Sequence, residues 1–272
     1  MGQADRSALE IAKELNVIVG KKAREPLVGI ILFGILAGVY IGFGAIAATT
    51  VSAFEGLPTG LSKFLAGSVF CVGLILVVIP GSELFTGNVL MVAGLVGQKI
   101  TLGQVLRNWL AAYTGNFLGA VLLAFAVFGS GLLGTAEAPT AVGTAAGKIA
   151  AAKINLAFGQ AFLKGVLCNM LVCLAVILAI SSRTTVGKIL GIYFPIMVFV
   201  LCGFEHSIAN MYFLPAGLLA QGRFATDFGT MFYNLIPVTL GNILGGTLVV
   251  MLHPARVRQL ARALGGGKMP DA

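Results

Sequence analysis

Charge is the property that this sequence has least of. Only 10% of its 272 residues are Asp, Glu, Lys or Arg, whereas 58% are hydrophobic and the mean hydropathy is +0.97. A soluble globular domain carries about 25% charged residues. So few charges cannot cover a water-facing surface of this size. The composition therefore excludes a soluble globular domain and predicts that most of the chain faces lipid.

Residues that carry catalytic or metal chemistry are also scarce. The chain has two histidines and four cysteines, and no pair of cysteines has the spacing of a metal site. The His-Glu-x-x-His and Gly-x-Ser-x-Gly motifs are both missing from the sequence. We therefore expect a protein that is not an enzyme and that uses no cofactor and no metal. The cysteines lie in apolar runs and are interpreted as packing residues: Cys71, Cys168, Cys173 and Cys202.

The net charge of +8 does not indicate a nucleic-acid partner. The basic residues are neither clustered on one domain nor interleaved with exposed aromatic residues. They lie instead in the short segments between apolar runs, as they do in membrane proteins. Two of these runs contain a glutamate, Glu83 or Glu205, and are too long for one straight helix of ~20 residues. Counting each as one interrupted crossing predicts six crossings, at 27–49, 62–97, 103–130, 155–181, 187–220 and 228–252.

The basic residues also predict an orientation. With six crossings both termini share one side of the membrane, and most of the 18 Lys and Arg residues fall on that side. Because positive residues favour the cytoplasm, we expect a multi-pass protein of the plasma (inner) membrane with both termini cytoplasmic. The predicted organisation is an amphipathic surface helix over 1–25, one transmembrane channel domain over 26–253 and a cytoplasmic tail over 254–272.

The two interrupted crossings share a sequence pattern. GSELFTGN (81–88) and GFEHSIAN (203–210) both place Gly two residues before Glu and Asn five residues after it. A second pattern, Gly-Asn-x-Leu-Gly, recurs in YTGNFLGAVLL (113–123) and VTLGNILGGTLV (238–249). Because each half has an odd number of crossings, three, the second half enters the membrane from the opposite side. The prediction is an all-α membrane protein with six transmembrane helices in two inverted three-helix repeats (26–130 and 154–253). The second and fifth helices are broken, an arrangement that indicates a transport site near the bilayer midplane.

Each predicted break has a physical consequence. Unwinding a helix frees backbone N–H groups at the start of the next half-helix, and these groups together with the local dipole favour an anion. Thr86 and Asn88 begin one half-helix, and Ser207 and Asn210 begin the other. We expect the two glutamates to accept hydrogen bonds from the freed N–H groups. Their alternative role is a proton relay, although structural capping is the favoured interpretation of both.

One histidine and one lysine are candidate functional residues. His206 lies in the second break, at a membrane depth where an ionisable group is costly, and imidazole exchanges a proton near neutral pH. His253 follows the last crossing and is interpreted as an interfacial side chain. Lys148 and Lys153 lie in the long connection before the fourth crossing. A lysine there either gathers anions at an outer vestibule or simply extends to solvent, and position alone leaves both open.

Four motifs resemble the formate/nitrite transporter family. They are GSELFTGN, KGVLCNMLVCLAV (164–176), GFEHSIANM (203–211) and NLIPVTLGNILGG (234–246), and the resemblance extends from about Pro26 to His253. It implies a homopentamer of six-crossing protomers, each with an aquaporin-like fold and its own anion path.

The resemblance also implies roles for individual residues. His206 resembles the central pore histidine, Thr86 its partner on the broken second helix, and Asn242 the asparagine that hydrogen-bonds near the histidine. Lys153 falls where the family has its vestibule lysine. The candidate path residues are thus His206, Thr86, Asn242, Lys153, Asn169 and Glu205, and the candidate constriction residues are Phe70, Leu74, Leu84, Phe85, Val172 and Phe199.

The resulting hypothesis is a path for small monovalent weak-acid anions and protons. Lys153 draws in the anion, which takes a proton from His206 or from water and crosses the apolar constriction as the neutral acid. Formate is the favoured passenger, ahead of nitrite and hydrosulfide, and lactate is also considered. The alternatives are an aquaporin-like channel for a neutral solute and an intramembrane enzyme using Glu205 and His206. Whether the N-terminal helix closes the path at low pH is left open.

Overall fold

A computed structural model of the protein describes residues 5–264, which form helices and connecting loops without a named β-strand in that range. Residues 265–272 of the predicted tail lie outside the described residues. The helices are α1 (Ala8–Arg24), α2 (Leu27–Ser52), α3 (Thr59–Val78), α4 (Phe85–Asn88), α5 (Val92–Val96), α6 (Leu102–Gly129), α7 (Ala141–Ile154), α8 (Phe158–Ser181), α9 (Thr185–Leu201), α10 (Ser207–Ala220), α11 (Phe224–Asp227), α12 (Met231–Met251) and α13 (Pro254–Leu264).

The long apolar runs form long helices, as the sequence predicts. By length and composition, five helices are able to cross a membrane: α2, α3, α6, α8 and the segment Phe224–Met251 that ends in α12. Three shorter apolar helices accompany them, at Phe85–Val96, Thr185–Leu201 and Ser207–Ala220. The prediction of an all-α membrane protein is confirmed.

Both predicted breaks are present. Residues 79–84 separate α3 from α4, and residues 202–206 separate α9 from α10. Gly81 and Gly203 have φ angles of +85° and +67°. Only glycine adopts such angles without steric cost, which explains why each motif has Gly two residues before Glu. The chain then becomes extended at the N-cap residue of the next helix, which is Leu84 in the first break and His206 in the second.

The two halves of the chain pack in the same way. In the first half α2 lies against α3 and α6, and in the second half α8 lies against α9 and α12. The contact of α3 with α9 joins the halves. These packing partners bring the N-terminus of α4 and the N-terminus of α10 into the protein interior, where the first residues of both helices are buried.

Helix α7 was not predicted, because its segment was interpreted as a long connection. Its N-cap Thr140 accepts a hydrogen bond from the Gly143 N–H at 3.0 Å, and the helix is rich in alanine, the strongest helix former. The helix packs against α10. Its last turn carries Lys153, so α7 is the element that positions the predicted vestibule lysine.

The predicted N-terminal amphipathic helix is α1, and it packs onto the protein itself. Ser7 and Glu10 form a capping box at its start. Its buried face consists of Ile11, Leu15, Val19 and Ala23 and belongs to a second hydrophobic cluster that includes residues of α5, α8 and α12. Arg6 fixes the start of the helix by donating to the Ile180 carbonyl at 2.7 Å.

Candidate functional site

The centre of the candidate site is a hydrogen bond between the two breaks. Thr86 Oγ1, in the first turn of α4, lies 2.8 Å from His206 Nε2, the N-cap residue of α10. Both side chains are buried. The structure therefore brings together the histidine and the threonine that the sequence proposed as partners.

The second ring nitrogen of His206 decides the direction of that bond. His206 Nδ1 lies 3.1 Å from the backbone N of Ala209 and accepts its N–H, which caps α10. A nitrogen that accepts a hydrogen bond carries no proton, so the neutral imidazole has its proton on Nε2. His206 therefore donates to Thr86 Oγ1, and the hydroxyl hydrogen of Thr86 is left to donate elsewhere.

Asparagines cap the freed N–H groups at both breaks. Asn116 Oδ1 accepts from the Phe85 N–H, and Asn242 Oδ1 accepts from the Ser207 N–H, each at 2.9 Å. The expectation that the glutamates accept these bonds is wrong. The amide nitrogen of Asn242 also donates to the Glu205 carbonyl at 3.0 Å, so Asn242 ties down the backbone on both sides of His206.

The carboxylate of Glu205 is occupied by other partners. Lys153 Nζ lies 3.0 Å from both of its oxygens, and Asn210 Nδ2 donates to Oε2 at 2.6 Å. Asn234 lies next to the same oxygen, at 3.4 Å. Because a buried carboxylate requires a counter-ion and hydrogen-bond donors, this cluster supplies the partners that Glu205 needs within the fold.

Glu83 has the same set of partners in the first half. Lys22 Nζ lies 2.7 Å from Oε1, Asn88 Nδ2 donates to Oε2 at 2.6 Å, and Asn108 Nδ2 lies 3.3 Å from Oε2. The equivalence extends to the amide–amide contacts, because Asn88 donates to Asn108 as Asn210 donates to Asn234, both at 2.7 Å. The two breaks are thus built from matching clusters of one lysine, one glutamate and two asparagines.

Sequence reasoning missed Lys22 and one asparagine of each cluster, namely Asn108 in the first and Asn234 in the second. A signal for the asparagines was present, since Asn108 precedes Asn116 by eight residues and Asn234 precedes Asn242 by the same spacing. Lys22 had no comparable signal. It lies on α1, whereas its counterpart Lys153 lies on α7, and these helices occupy different places relative to the motifs.

Asn169, on α8, connects the half-helix α4 with α12. Its amide nitrogen donates to the Asn242 carbonyl at 2.6 Å and to the Thr86 carbonyl at 3.2 Å. Within the part of the chain that the structure describes, three buried side-chain atoms have no hydrogen-bond partner, the Asn169 Oδ1, the Ser207 Oγ and the Asn210 Oδ1. Because buried polar atoms are normally satisfied, these atoms are available to water or to a passing solute.

The predicted constriction residues are all buried, but they do not all surround the histidine. The Phe199 ring stacks on the His206 ring at 5.9 Å, and the Phe70 ring meets Phe199 edge-on at 5.5 Å. The Phe85 ring instead packs edge-on against Tyr113, at 5.0 Å. Val172 is buried in the main hydrophobic core.

The buried rings of Phe70 and Phe199, together with Leu74, form an apolar layer next to His206. A cavity of about 290 Å³ lies on the side of this layer that faces α1. Leu74 and Leu84 form part of its wall, and so does Asn88. Three basic residues, Arg6, Lys22 and Lys188, line it together with Glu14. The arrangement is a largely apolar chamber whose charged side chains are mostly basic, and we call it the basic chamber.

Two broken helices whose N-termini meet in an apolar interior, beside a basic chamber, define an α-helical multi-pass membrane channel or transporter. The family model described as "Formate/nitrite transporter" matches residues 9–255. The chain therefore belongs to the formate/nitrite transporter family, which is a family of channels and transporters rather than of enzymes.

Individual relatives agree with this assignment. The chain is 44% identical over 266 residues to a "Probable formate transporter" of Methanothermobacter thermautotrophicus, covering 92% of this chain and 96% of that protein. It is 36% identical over 261 residues to "Formate channel FocA" of Escherichia coli, with 89% and 90% covered. A solved "FNT family ion channel" is similar with a TM-score of 0.79 at 31% identity, with 89% and 96% covered. A "Pentameric formate channel with formate bound" has a TM-score of 0.72 at 33% identity, with 87% and 98% covered.

Proposed function

We propose that this protein conducts small monovalent weak-acid anions across the plasma membrane, with formate as the preferred passenger. The observation that carries the proposal is the hydrogen bond between Thr86 and His206 at the meeting point of two half-helix N-termini. Helix N-termini favour anions, and the apolar surroundings make that preference strong. The names of the relatives as formate transporters and channels support formate ahead of nitrite, hydrosulfide and lactate.

The anion first meets Lys153. An ammonium group has three N–H donors, and Lys153 directs them at Glu205, where two oxygens lie at 3.0 Å. In this proposal the third donor binds the anion. In this proposal Lys153 does not act as a free positive charge. It presents one directed N–H from an ion pair whose net charge is close to zero, so the anion is oriented there without being trapped.

Lys22 performs the same task at the other mouth. Its ammonium pairs with Glu83 at 2.7 Å and lines the 290 Å³ chamber. A path with equivalent cation–carboxylate pairs at both ends works in either direction, so the gradient of the passenger and of protons determines the direction of flow.

The apolar layer between the two pairs makes the passenger take up a proton. An isolated anion among Phe199, Phe70 and Leu74 loses its hydration without gaining a counter-ion, which costs several kcal/mol or more. Desolvation also raises the affinity of a weak acid's anion for a proton. Formate therefore passes this layer as formic acid, and we propose water as the first source of its proton.

His206 then acts as a neutral donor. Taking a second proton on Nδ1 would break its bond with the Ala209 N–H, so the geometry favours a ring that donates from Nε2 through Thr86. The Thr86 hydroxyl donates its hydrogen to the passing acid or anion and thereby orients it in the narrowest part of the path. Proton transfer from His206 itself requires the Nδ1 bond to break and form again in each cycle.

The complete molecule proposed here has six crossings, with α3 to α5 and α9 to α10 each counted as one interrupted crossing. The two repeats are inverted, and both termini lie in the cytoplasm. The similarity to a pentameric channel at 33% identity supports a homopentamer with one path per protomer. The chain divides into the surface helix 1–25, the channel domain 26–253 and the tail from 254 onward.

The test is a stopped-flow comparison of formate, nitrite, hydrosulfide and lactate in proteoliposomes with an internal pH dye. We expect formate to move fastest, and each rate to rise as the pH falls because the neutral acid becomes more abundant. Protein-free liposomes measure leakage, and His206→Phe is expected to remove most of the flux above it. Transport of glycerol or ammonia without any anion flux would instead establish the aquaporin-like alternative.

A further inference from the structure

A second cavity, of about 460 Å³, also borders α1. It lies against a different face of this helix than the basic chamber does. It is bounded by α1, the end of α5, α8 and the junction between α12 and α13. Its floor is apolar and includes the buried side chains of Leu15, Ile177 and Val250. Nothing in the anion path described above uses this cavity.

The rim of this cavity is basic and unneutralised. Lys13, Lys99 and Arg256 line it from three different elements. Among residues 5–264, none of the three side chains makes an ion pair or a hydrogen bond, and no acidic residue contributes to the lining. Cations that line one cavity repel one another, so an anion that bound all three would stabilise this arrangement.

His253 adds a neutral donor to the same rim. It lies between α12 and α13, and burial lowers its pKa below the ordinary histidine value. Its Nδ1 accepts from the Ala255 N–H at 3.4 Å, which leaves the proton on Nε2. A neutral imidazole N–H on the same rim as three cations is a suitable partner for a phosphate oxygen.

The position of the cavity selects the kind of anion. It lies where α12 ends, at Met251, and where the basic helix α13 begins, at Pro254. On the membrane position proposed above, this level is the cytoplasmic interface. Basic pockets between transmembrane helices at that interface are typical sites for anionic lipid headgroups. A free phosphate would satisfy the rim but would leave the apolar floor uncovered.

We propose that this cavity binds an anionic phospholipid, with its phosphate between Lys13, Lys99 and Arg256 and an acyl chain along the apolar floor. Leu15 lines both cavities. A lipid bound here therefore packs against the same helix that delivers Lys22 to the anion path, and it helps to hold that helix in place.

Native mass spectrometry of the purified protein in detergent tests this proposal without measuring transport. Phosphatidylglycerol and phosphatidylcholine of identical chain length are titrated onto the wild type, onto K13Q/K99Q/R256Q and onto the control K63Q/K148Q/K164Q. The control removes three lysines that do not line the cavity. We expect the wild type and the control to bind phosphatidylglycerol at least tenfold more tightly than phosphatidylcholine. Each cation contributes ~1 kcal/mol, so the first triple variant should bind phosphatidylglycerol about a hundredfold more weakly.

Three results would overturn the proposal. They are equal binding of the two lipids to the wild type, an equal loss in both triple variants, and displacement of the lipid by millimolar inorganic phosphate, which would identify a soluble anion as the occupant. Lys99→Glu provides a second variant should the triple variant fail to fold, because Lys99 is exposed in the loop after α5. It is expected to weaken phosphatidylglycerol binding more than tenfold, and no change would also contradict the site.

Discussion

His206 occupies the N-cap position that Leu84 occupies in the first half of the chain. At this position the second break carries an imidazole where the first carries an apolar side chain. The leucine cannot donate or accept, so a single imidazole serves both half-helices, and Thr86 is its partner from the first half. A site with one neutral donor chain, from His206 through Thr86, can orient a small acid without holding a fixed charge at the narrowest point.

Replacing Thr86 tests this donor chain. In Thr86→Val the Nε2–H of His206 loses its acceptor in a buried site, which costs about 1–3 kcal/mol. We expect formate flux in proteoliposomes to fall roughly five- to hundredfold as a result. Thr86→Ser keeps the hydroxyl and should retain most of the flux. Equal flux in the valine variant and the wild type would mean that the hydroxyl has no part in conduction.

Lys153 and Glu205 make a second prediction at the scale of the residue. Both side chains are largely buried, with exposures of 15% and 6%, so removing one partner leaves an uncompensated charge. Lys153→Met should destabilise the protein by about 3–5 kcal/mol and lower the thermal midpoint measured by fluorescence of Trp109, the single tryptophan. The double variant Lys153→Met/Glu205→Gln should recover much of this loss. If the double variant is as unstable as the single one, the ion pair is not the cause.

At the scale of the element, the broken helices obtain their shape from their partners. A glycine with positive φ turns the chain, an asparagine from α6 or α12 caps the new N-terminus, and a glutamate joins a lysine from α1 or α7. Neither break is therefore a local property of its own segment. The helices α1 and α7 are short and peripheral, yet each supplies the cation of one break.

The start of α1 should respond to acid. The Ser7 N–H donates to the Glu10 carboxylate at 2.8 Å, and this bond holds the pKa of Glu10 below its ordinary value. A carboxyl whose folded pKa is depressed stabilises the fold above its unfolded pKa of ~4.3 and loses that contribution as the pH falls through the folded pKa. We expect the first turn of α1 to lose protection in hydrogen exchange below about pH 4.

Glu10→Gln separates this effect from general acid unfolding. Glutamine keeps an acceptor for the capping box but does not titrate, so exchange in the first turn should become independent of pH after correction for the intrinsic rate. Glu14→Gln, one turn further along α1, should behave like the wild type. A wild-type response in the Glu10 variant would assign the acid sensitivity to another group.

Across the whole molecule, much of the outer surface is apolar, and the ionisable groups of the two breaks are enclosed. Large exposed side chains such as Leu110 and Leu122 on α6 and Leu163 on α8 face outward, whereas Glu83, Glu205 and His206 are buried. A water-soluble protein has the opposite distribution, and lipid or neighbouring protomers must cover such a surface.

The proposed assembly predicts a mass five times that of the 28.1 kDa chain. Native mass spectrometry after gentle release from detergent should show this species as the main one. Its proportion should not depend on protein concentration in the micromolar range, because an interface made of large apolar faces is stable. A monomer or a dimer as the main species would contradict the proposed pentamer.

The lipid-facing character, the long helices and the two breaks could all be predicted from the amino-acid sequence. These features follow from local composition, namely apolar runs, a glycine that permits positive φ and a charge that cannot lie in an uninterrupted apolar helix. The pairing of Thr86 with His206 was also expected, although through family resemblance rather than from spacing.

The atoms that satisfy the hydrogen-bonding groups of the two breaks could not be predicted, because they depend on how the helices pack. The freed N–H groups bind Asn116 and Asn242 rather than the glutamates, and the partner of Glu83 is Lys22 from the N-terminal helix. These contacts join residues far apart in the chain, and their choice depends on which donors the packing of α1, α6, α7 and α12 brings within about 3 Å. Hydrogen bonds act over that distance alone, so no local pattern in the sequence specifies them.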